Sequence, residues 1–373
     1  MDAVTFEGVR KAYGTPVLIG VDLAVAPGRI TVLCGPPGAG KSVLLRMLVG
    51  LEQPDTGRIT LDGRDVTALG AGARRIGYVP QSFALFPHLS VYDNIAYPLT
   101  LRRTARDVVR RRVERIAGLL AIDELLGKRP SELSGGQKQR TALARGLVRK
   151  AVVYVLDDPL VGLDFKLRER LVDDLRRLRA DYAAAFLYAT SDPLEALAVA
   201  DDVAVLDGGR IIEHGASDAL YHAPRQLRSA ELVGFPACNV LSGQLDATGW
   251  CETAVGAFQV ETRSGSGAVA VAVRPEHLVL DDGTPGLAVR GIVRLVEDLG
   301  AEIVIHFDLA GHGSGAVDDI GALVTVLPAS AMPKGGLPVN APLHLRVRPG
   351  SLAVFGLSGA RIGQGVNAVT SPS

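Results

Sequence analysis

An α/β domain followed by a smaller all-β domain is the fold class this sequence predicts, and three observations carry it. The apolar run Ile30-Thr31-Val32-Leu33-Cys34 leads into Gly35-Pro36-Pro37-Gly38-Ala39-Gly40-Lys41-Ser42, which opens into the helix-like Val43-Leu44-Leu45-Arg46-Met47-Leu48-Val49. Wholly apolar segments of strand length then alternate with helical periodicity, the pattern of strands wound into a mixed layer with helices. Beyond Phe235-Pro236-Ala237-Cys238-Asn239 the texture changes to short strands separated by Gly, Pro and Asp, and helical periodicity almost vanishes, as in a small OB-like barrel. The expected domains are residues 1–235, with a helical subdomain over about 90–150, and residues 236–373.

Composition narrows the classes. With 40 Lys and Arg against 40 Asp and Glu over 373 residues, the chain has no net basic field to attract nucleic acid. Its three cysteines, Cys34, Cys238 and Cys251, are too few and too scattered for a disulfide framework or a metal cluster, which fits a reducing compartment. The first residues show no basic stretch followed by an apolar one, so no signal peptide is expected. No apolar run approaches the ~18 residues of a membrane span, so any membrane role is expected to come through a partner.

Taken in order, Val4 to Val9 and Val17 to Val25 read as antiparallel strands broken by Gly14 and Pro16, with the aromatic Tyr13 between them. The loop Gly35 to Ser42 has the G-x-x-x-x-G-K-S form in its strand–loop–helix setting, which points to phosphate binding. Its glycines let successive N–H groups converge on an anion, and the following helix adds its positive end. Lys41 is placed to reach the β- and γ-phosphates of a nucleoside triphosphate, and the Ser42 hydroxyl to ligate Mg²⁺. Gly57 to Leu61 and Ile76 to Val79 are further strands, the second ending at Pro80-Gln81. The loop from Phe83 to Leu89 is apolar, and is either a partner surface or a segment tucked into its own core. Ser134-Gly135-Gly136-Gln137 caps a second helix with bare N–H groups, a second place able to hold phosphate. Ala151 to Leu156 is an apolar strand ending in Asp157 and Asp158, and a carboxylate at the end of such a strand sits on the Mg²⁺ side of a phosphate-loop enzyme. Leu167, Leu171, Leu175 and Leu178 mark a core-facing helix, Ala185 to Thr190 and Val203 to Leu206 two more strands, and Gly363 to Ser373 a loose tail.

These residues resemble the ATP-binding cassette (ABC) transporter ATPases over nearly the whole chain. Leu133-Ser134-Gly135-Gly136-Gln137 matches that family's signature motif; Gln81 falls at its Q-loop glutamine, a site close to the metal, and Tyr13 at its adenine-stacking aromatic. Val273-Arg274-Pro275-Glu276-His277-Leu278 and Val296-Glu297-Asp298-Leu299-Gly300 are similar to the family's TOBE domains, which points to the importers of carbohydrates and polyols, the maltose and glycerol-3-phosphate type. The resemblance implies ATP and Mg²⁺ as cofactors and a head-to-tail dimer, each ATP held by one subunit's phosphate loop and capped by the other's Ser134 helix. It also implies transmembrane permease subunits docked near Phe83 to Leu89, a solute-binding protein acting indirectly, and a peripheral place on the cytoplasmic face of the inner membrane. With this resemblance the Phe83 to Leu89 loop reads as a partner surface.

Three positions depart from the family pattern. Asp158 stands where the family has the Glu that polarises the attacking water, and Ser191 where it has a His facing the γ-phosphate. The D-loop reads Val161-Gly162-Leu163-Asp164 instead of Ser-x-Leu-Asp. A carboxylate shortened by one methylene retreats by about 1 Å, and a displacement of that size costs roughly a hundredfold in rate. Binding residues are thus retained while the catalytic ones Asp158, Ser191 and Gln81 are partly altered. This leads to the expectation of weak turnover and of a second, catalytically complete ATPase as partner. A slow homodimer, a nucleotide-gated regulator and a soluble ABC ATPase of repair or translation are the alternatives; the last is disfavoured because the chain has one cassette and no coiled-coil insertion.

Overall fold

The computed structural model describes residues 1–160, 165–182, 184–262, 266–310, 322–332 and 336–368. It divides the chain into two compact units, Met1–Asp218 and Ala219–Ser373.

The first unit holds two sheets. Strands β1 (Val4–Tyr13) and β2 (Thr15–Val25) pair antiparallel, and β4 (Thr56–Leu61) and β5 (Arg64–Asp65) extend that sheet in the order β2-β1-β4-β5. The second sheet is the scaffold of the site. Its strands β3 (Ile30–Cys34), β6 (Ile76–Val79), β7 (Val153–Asp157) and β8 (Ala185–Thr190) run parallel with β9 (Asp202–Asp207), and β10 (Arg210–Ala216) joins antiparallel, in the order β10-β9-β3-β8-β7-β6. Every residue of β3, β7 and β8 is buried, which is why these strands read as unbroken apolar runs instead of alternating ones. Register sets Cys34 beside Thr190 and Asp157 beside Ala189, so the segments leaving β3, β7 and β8 emerge side by side at one sheet edge. That edge, at the carboxyl ends of parallel strands, is where such sheets do their ligand chemistry.

Helix α1 (Lys41–Val49) follows β3 directly. Between β6 and β7 lie α2 (Val91–Thr100), α3 (Arg106–Leu119) and α4 (Gly135–Leu147), where the sequence predicts a helical region. Helices α5 (Phe165–Tyr182) and α6 (Pro193–Val199) flank β8, and α7 (Ser217–His222) spans the division between the units. On α5, Leu171 and Leu175 are buried as their spacing predicts, while the side chains of Leu167 and Leu178 lie outside the described residues. The Val161 to Asp164 segment lies outside them too.

The second unit begins with the end of α7 and α8 (Leu227–Leu232) and is otherwise all β. β11 (Asn239–Leu245), β12 (Trp250–Thr253), β13 (Gly256–Thr262), β14 (Gly267–Val273), β20 (Ala353–Phe355) and β21 (Arg361–Ala368) close a barrel. A second, five-stranded sheet, β15 (Val279–Leu280), β19 (Pro342–Val347), β16 (Leu287–Asp298), β17 (Glu302–Leu309) and β18 (Leu323–Pro328), lies beside it, and one hydrophobic core including Phe258, Val271, Val293, Phe307 and Val354 serves both. The expected loose tail is corrected here: Arg361 to Ala368 form a barrel strand, and residues 369–373 lie outside the described part. Glycines suggested looseness, yet they are there because neighbours come close. A Cβ on Gly363 would sit 2.6 Å from Val260 Cγ1, and one on Gly365 2.4 Å from the Pro349 carbonyl oxygen.

Candidate functional site

The Gly35–Ser42 loop is shaped by close approach. A Cβ at Gly35 would lie 2.1 Å from the Leu206 carbonyl oxygen, and one at Gly40 2.8 Å from Leu18 Cδ2. Gly40 also caps α1 at φ 103° and Gly38 has φ 83°, both in the left-handed region that favours glycine. Pro36 is half-buried, Pro37 and Gly38 are exposed, and Ala39 and Gly40 are buried, so the loop offers its middle to solvent and anchors its ends. Gly35→Ala is expected to lower stability by about 1–3 kcal/mol through overpacking. It should also weaken nucleotide binding more than tenfold, checked by thermal melting and by titration with a fluorescent ATP analogue.

Lys41 is 7 % exposed and donates to the Gly35 and Pro36 carbonyls at 2.7 and 3.1 Å, curled back over the loop that it follows. Burial lowers the pKa of its ammonium, while Asp158, Cys34 and Asp157 pull it back up. The Ser42 hydroxyl donates to Asp157 Oδ1 at 2.9 Å. Burial raises the Asp157 carboxyl; the Ser42 hydrogen bond works against this and the charge of Asp158 with it. A hydroxyl and a buried carboxylate held together at the end of a phosphate-type loop are the donor set for Mg²⁺, which takes one or two protein oxygens and completes its shell with water and phosphate. Among the described residues no group of three His, Cys, Asp or Glu stands together as an independent metal cage. The chain's residues therefore fit ATP with Mg²⁺; the ion would supply charge neutralisation between phosphate oxygens.

Asp158 follows at φ 45°, its N–H bonded to the Ala189 carbonyl at 2.9 Å. Burial raises its pKa, against the pull of Lys41, the Thr190 hydroxyl and the Ser191 N–H. Its Oδ1 is buried with no hydrogen-bond partner among the described residues, an acceptor left over in a polar site. Ser191 is exposed just beyond β8. Gln81 is exposed two residues past Val79, the end of β6, where Val79 pairs with Leu156 of β7 just before the two aspartates. The structure thus brings Lys41, Ser42, Asp157, Asp158, Ser191 and Gln81 to one sheet edge.

The other expected residues stand on their own elements. Tyr13, at the end of β1, is 54 % exposed, its hydroxyl donating to Glu52 and the Lys11 ammonium 5.5 Å from its ring centre. The β2 strand it leads into passes Gly40, with the Val17 oxygen 3.2 Å from where a Cβ would be. Ser134 caps α4: its Oγ accepts from the Gln137 N–H at 3.4 Å and Gln137 Oε1 accepts from the Ser134 N–H at 3.0 Å, a reciprocal capping box. Gly135 is exposed with nothing within 4 Å of an added Cβ, so the helix start is open.

The Phe83 to Leu89 loop is not the exposed apolar patch its composition suggests. Phe83, Leu85, Phe86 and Leu89 are half-buried, and only Ala84, Pro87 and His88 are exposed within it. Arg145 of α4 donates to the Ala84 and Phe83 carbonyls at 2.6 and 3.0 Å. The fully buried Asn94 of α2 bonds Phe86 at both its N–H and its carbonyl, at 2.8 and 3.1 Å. Two polar side chains, Asn94 just beyond the loop and the distant Arg145, thus fix its backbone.

Sequence reasoning missed Thr190 and Glu195, whose buried side chains meet at 2.7 Å beside Asp158. The only signal is the Asp192-x-x-Glu195 spacing of a helix cap. Asp192 does cap α6, accepting from Leu194 and Glu195 N–H at 2.9 and 3.2 Å, but the Glu195 carboxylate turns to Thr190 instead.

A glycine-shaped loop with a buried lysine, a Ser–Asp pair beneath it and a parallel sheet behind define a P-loop nucleotide-binding fold. Comparison narrows this. Residues 18–161 match the ABC transporter family and residues 271–355 the TOBE domain family. The chain is 38 % identical over 346 residues to the sn-glycerol-3-phosphate import ATP-binding protein UgpC of Ruegeria sp., covering 92 % of this chain and 97 % of that one. It is 39 % identical over 312 residues to the protein of the same name from Ruegeria pomeroyi, covering 83 % and 88 %. Among solved structures it resembles the dimeric bacterial ABC transporter cassette MJ0796, with a TM-score of 0.54 at 25 % identity over 57 % of this chain and 98 % of that one. The same cassette in a post-hydrolysis state, bound to ADP and Pi, aligns with a TM-score of 0.54 at 26 % identity. The chain belongs to the ABC transporter family, as an import ATP-binding subunit of the carbohydrate and polyol type: an ATPase that uses ATP and Mg²⁺. No helix among the described residues is long and apolar enough to cross a membrane.

Proposed function

We propose that this chain works as one half of an asymmetric ATPase pair in an importer for a carbohydrate or polyol. A sugar, glycerol or a glycerol phosphate is the substrate class, and the relatives named for sn-glycerol-3-phosphate import support its last member. Residues 1–235 form the nucleotide-binding domain, with the helical subdomain about 90–150, and residues 236–373 the regulatory β domain. Lys41 and the loop Gly35, Pro36, Pro37, Gly38, Ala39, Gly40 hold the phosphates, Ser42, Asp157 and Gln81 the metal, and Tyr13 the adenine. The observation that carries the reading is the split between the two half-sites. The binding loop and the Ser134–Gln137 cap are intact, whereas the water-side positions carry a half-buried Asp158 and an exposed, uncharged Ser191.

ATP in this chain's loop would therefore turn over slowly, and its Ser134 helix would complete the site of a second ATPase that brings its own Glu and His. Membrane permease subunits would dock at Phe83 to Leu89, a loop already pinned by Arg145 and Asn94, which lowers the entropy cost of binding. The chain would then lie on the cytoplasmic face of the plasma membrane, with a solute-binding protein acting at a distance. Ser134→Arg separates the two roles. It is expected to leave nucleotide binding by the isolated chain unchanged and to cut the turnover of the assembled transporter at least a hundredfold, as loss of oriented charge stabilisation does. Full turnover by a homodimer of the purified chain, without any second ATPase, would sink the asymmetric pair.

A further inference from the structure

At the ends of β7 and β8 there are more acceptors than hydrogens to serve them. Thr190 Oγ1 donates to Glu195 Oε2 at 2.7 Å and accepts the Asp192 N–H at 3.0 Å. The Asp158 carboxylate lies close enough for the same hydroxyl to lower its pKa, although that hydroxyl now donates to Glu195. A hydroxyl carries one hydrogen, so it serves Glu195 or Asp158 and not both while both are ionised. Glu195 Oε1 and Asp158 Oδ1 are each buried with no hydrogen-bond partner among the described residues. One proton on Glu195 settles the count. Its O–H then donates to Thr190 Oγ1, whose second lone pair keeps the Asp192 N–H, and the Thr190 hydrogen turns to Asp158.

We propose that Glu195 is a positioning residue for Asp158: as a neutral acid it turns the Thr190 hydroxyl onto the Asp158 carboxylate, and on ionising it takes that hydroxyl back. This rests on the reading of Asp158 as the carboxylate beside the attacking water. The charged and titratable groups acting on Glu195 are Arg168 of α5, Asp158 after β7 and Cys34 of β3, with Asp192 at the start of α6 paired to Arg168 and Lys41 of α1 acting on Asp158. Burial pushes the Glu195 carboxyl up to about 7, with the Arg168 guanidinium pulling it down and Asp158 pushing it further up. A raised carboxyl keeps its proton below that value and loses it above. Asp158 is thus held on the acid side of neutrality and released on the alkaline side.

Glu195→Gln carries a permanent N–H in place of the acid proton, and Thr190→Val has no hydroxyl hydrogen to give to Asp158. Infrared titration of the full chain without nucleotide should show a protonated carboxyl band that fades with a midpoint near about 7 and is missing from Glu195→Gln. In single-turnover ATP hydrolysis, Glu195→Gln should be flat with pH and about tenfold faster than Thr190→Val, the worth of one hydrogen bond to a charged group. The unmodified chain should follow the Gln variant a unit below the midpoint and the Thr190→Val variant a unit above it. A carboxyl band that survives in Glu195→Gln, or a Gln variant that keeps the wild-type pH limb, would overturn the proposal. Unchanged turnover in Asp158→Asn would instead remove the role of Asp158 on which it rests, and the infrared titration would still decide where the proton lies.

Discussion

ATP turnover by the purified chain is expected to rise about a hundredfold when Asp158→Glu and Ser191→His are introduced together, the scale set by restoring a reacting group displaced by ~1 Å. The backbone at Asp158 is held by the bond from its N–H to the Ala189 carbonyl, so the short side chain cannot advance by moving its Cα. Only a longer side chain can. Ser191 is exposed, so an imidazole there meets no packed core, and it adds a group able to hold or give a proton near neutral pH. Nucleotide affinity should stay within about threefold, because Lys41, Ser42 and Asp157 are untouched and uniform binding is separable from rate. A coupled assay for phosphate release alongside fluorescent-nucleotide titration checks both halves. Brisk turnover before any substitution would show that Asp158 suffices, and would make an ordinary homodimer the better account.

Loss of the Arg74 guanidinium is expected to produce the largest change in stability, about 3–5 kcal/mol for Arg74→Ala, as for breaking a buried charged network. Arg74 is 1 % exposed and donates to four carbonyls: Leu69 at 2.8 Å, Thr67 at 3.1 Å, and Met47 and Leu48 at 2.6 Å each. The last two belong to the C-terminal turn of α1, where backbone carbonyls lack helical partners and a cation meets the negative end of the helix. The phosphate loop opens the other end of α1, so this cap holds the binding loop's own helix in place. Arg74→Lys should recover only part of the loss, since a compact ammonium cannot spread over four acceptors as a planar guanidinium does. Urea unfolding curves with a shifted midpoint and unchanged slope are the test.

Local chemistry made some of this protein legible from its sequence alone. The Gly35–Ser42 loop, the Ser134–Gln137 cap and the buried strands β3, β7 and β8 all follow from rules acting over a few residues. Glycine is needed where φ is positive or a Cβ would collide, Ser caps a helix three residues before Gln, and a strand covered on both faces reads as a nearly continuous apolar run. Asp158 and Ser191 sit at fixed offsets from those elements, which is what let the sequence single them out as the proposed water-side pair. What only the tertiary structure decided are the contacts between distant segments. Glycines at 363 and 365 suggest slack until β13 and the Pro349 turn are seen pressed against them. The loop at 83–89 reads as an exposed patch until Asn94 and Arg145 are seen holding it. Arg74 is one arginine among many until the end of α1 arrives beside it. Beyond the Asp192-x-x-Glu195 cap spacing nothing in the sequence marks Thr190 and Glu195; their meeting beside Asp158 depends on β7 and β8 pairing in one register, and burial there raises the Glu195 carboxyl to about 7. Short-range geometry is written in adjacent letters, whereas a buried group's charge and partners depend on everything that folds over it.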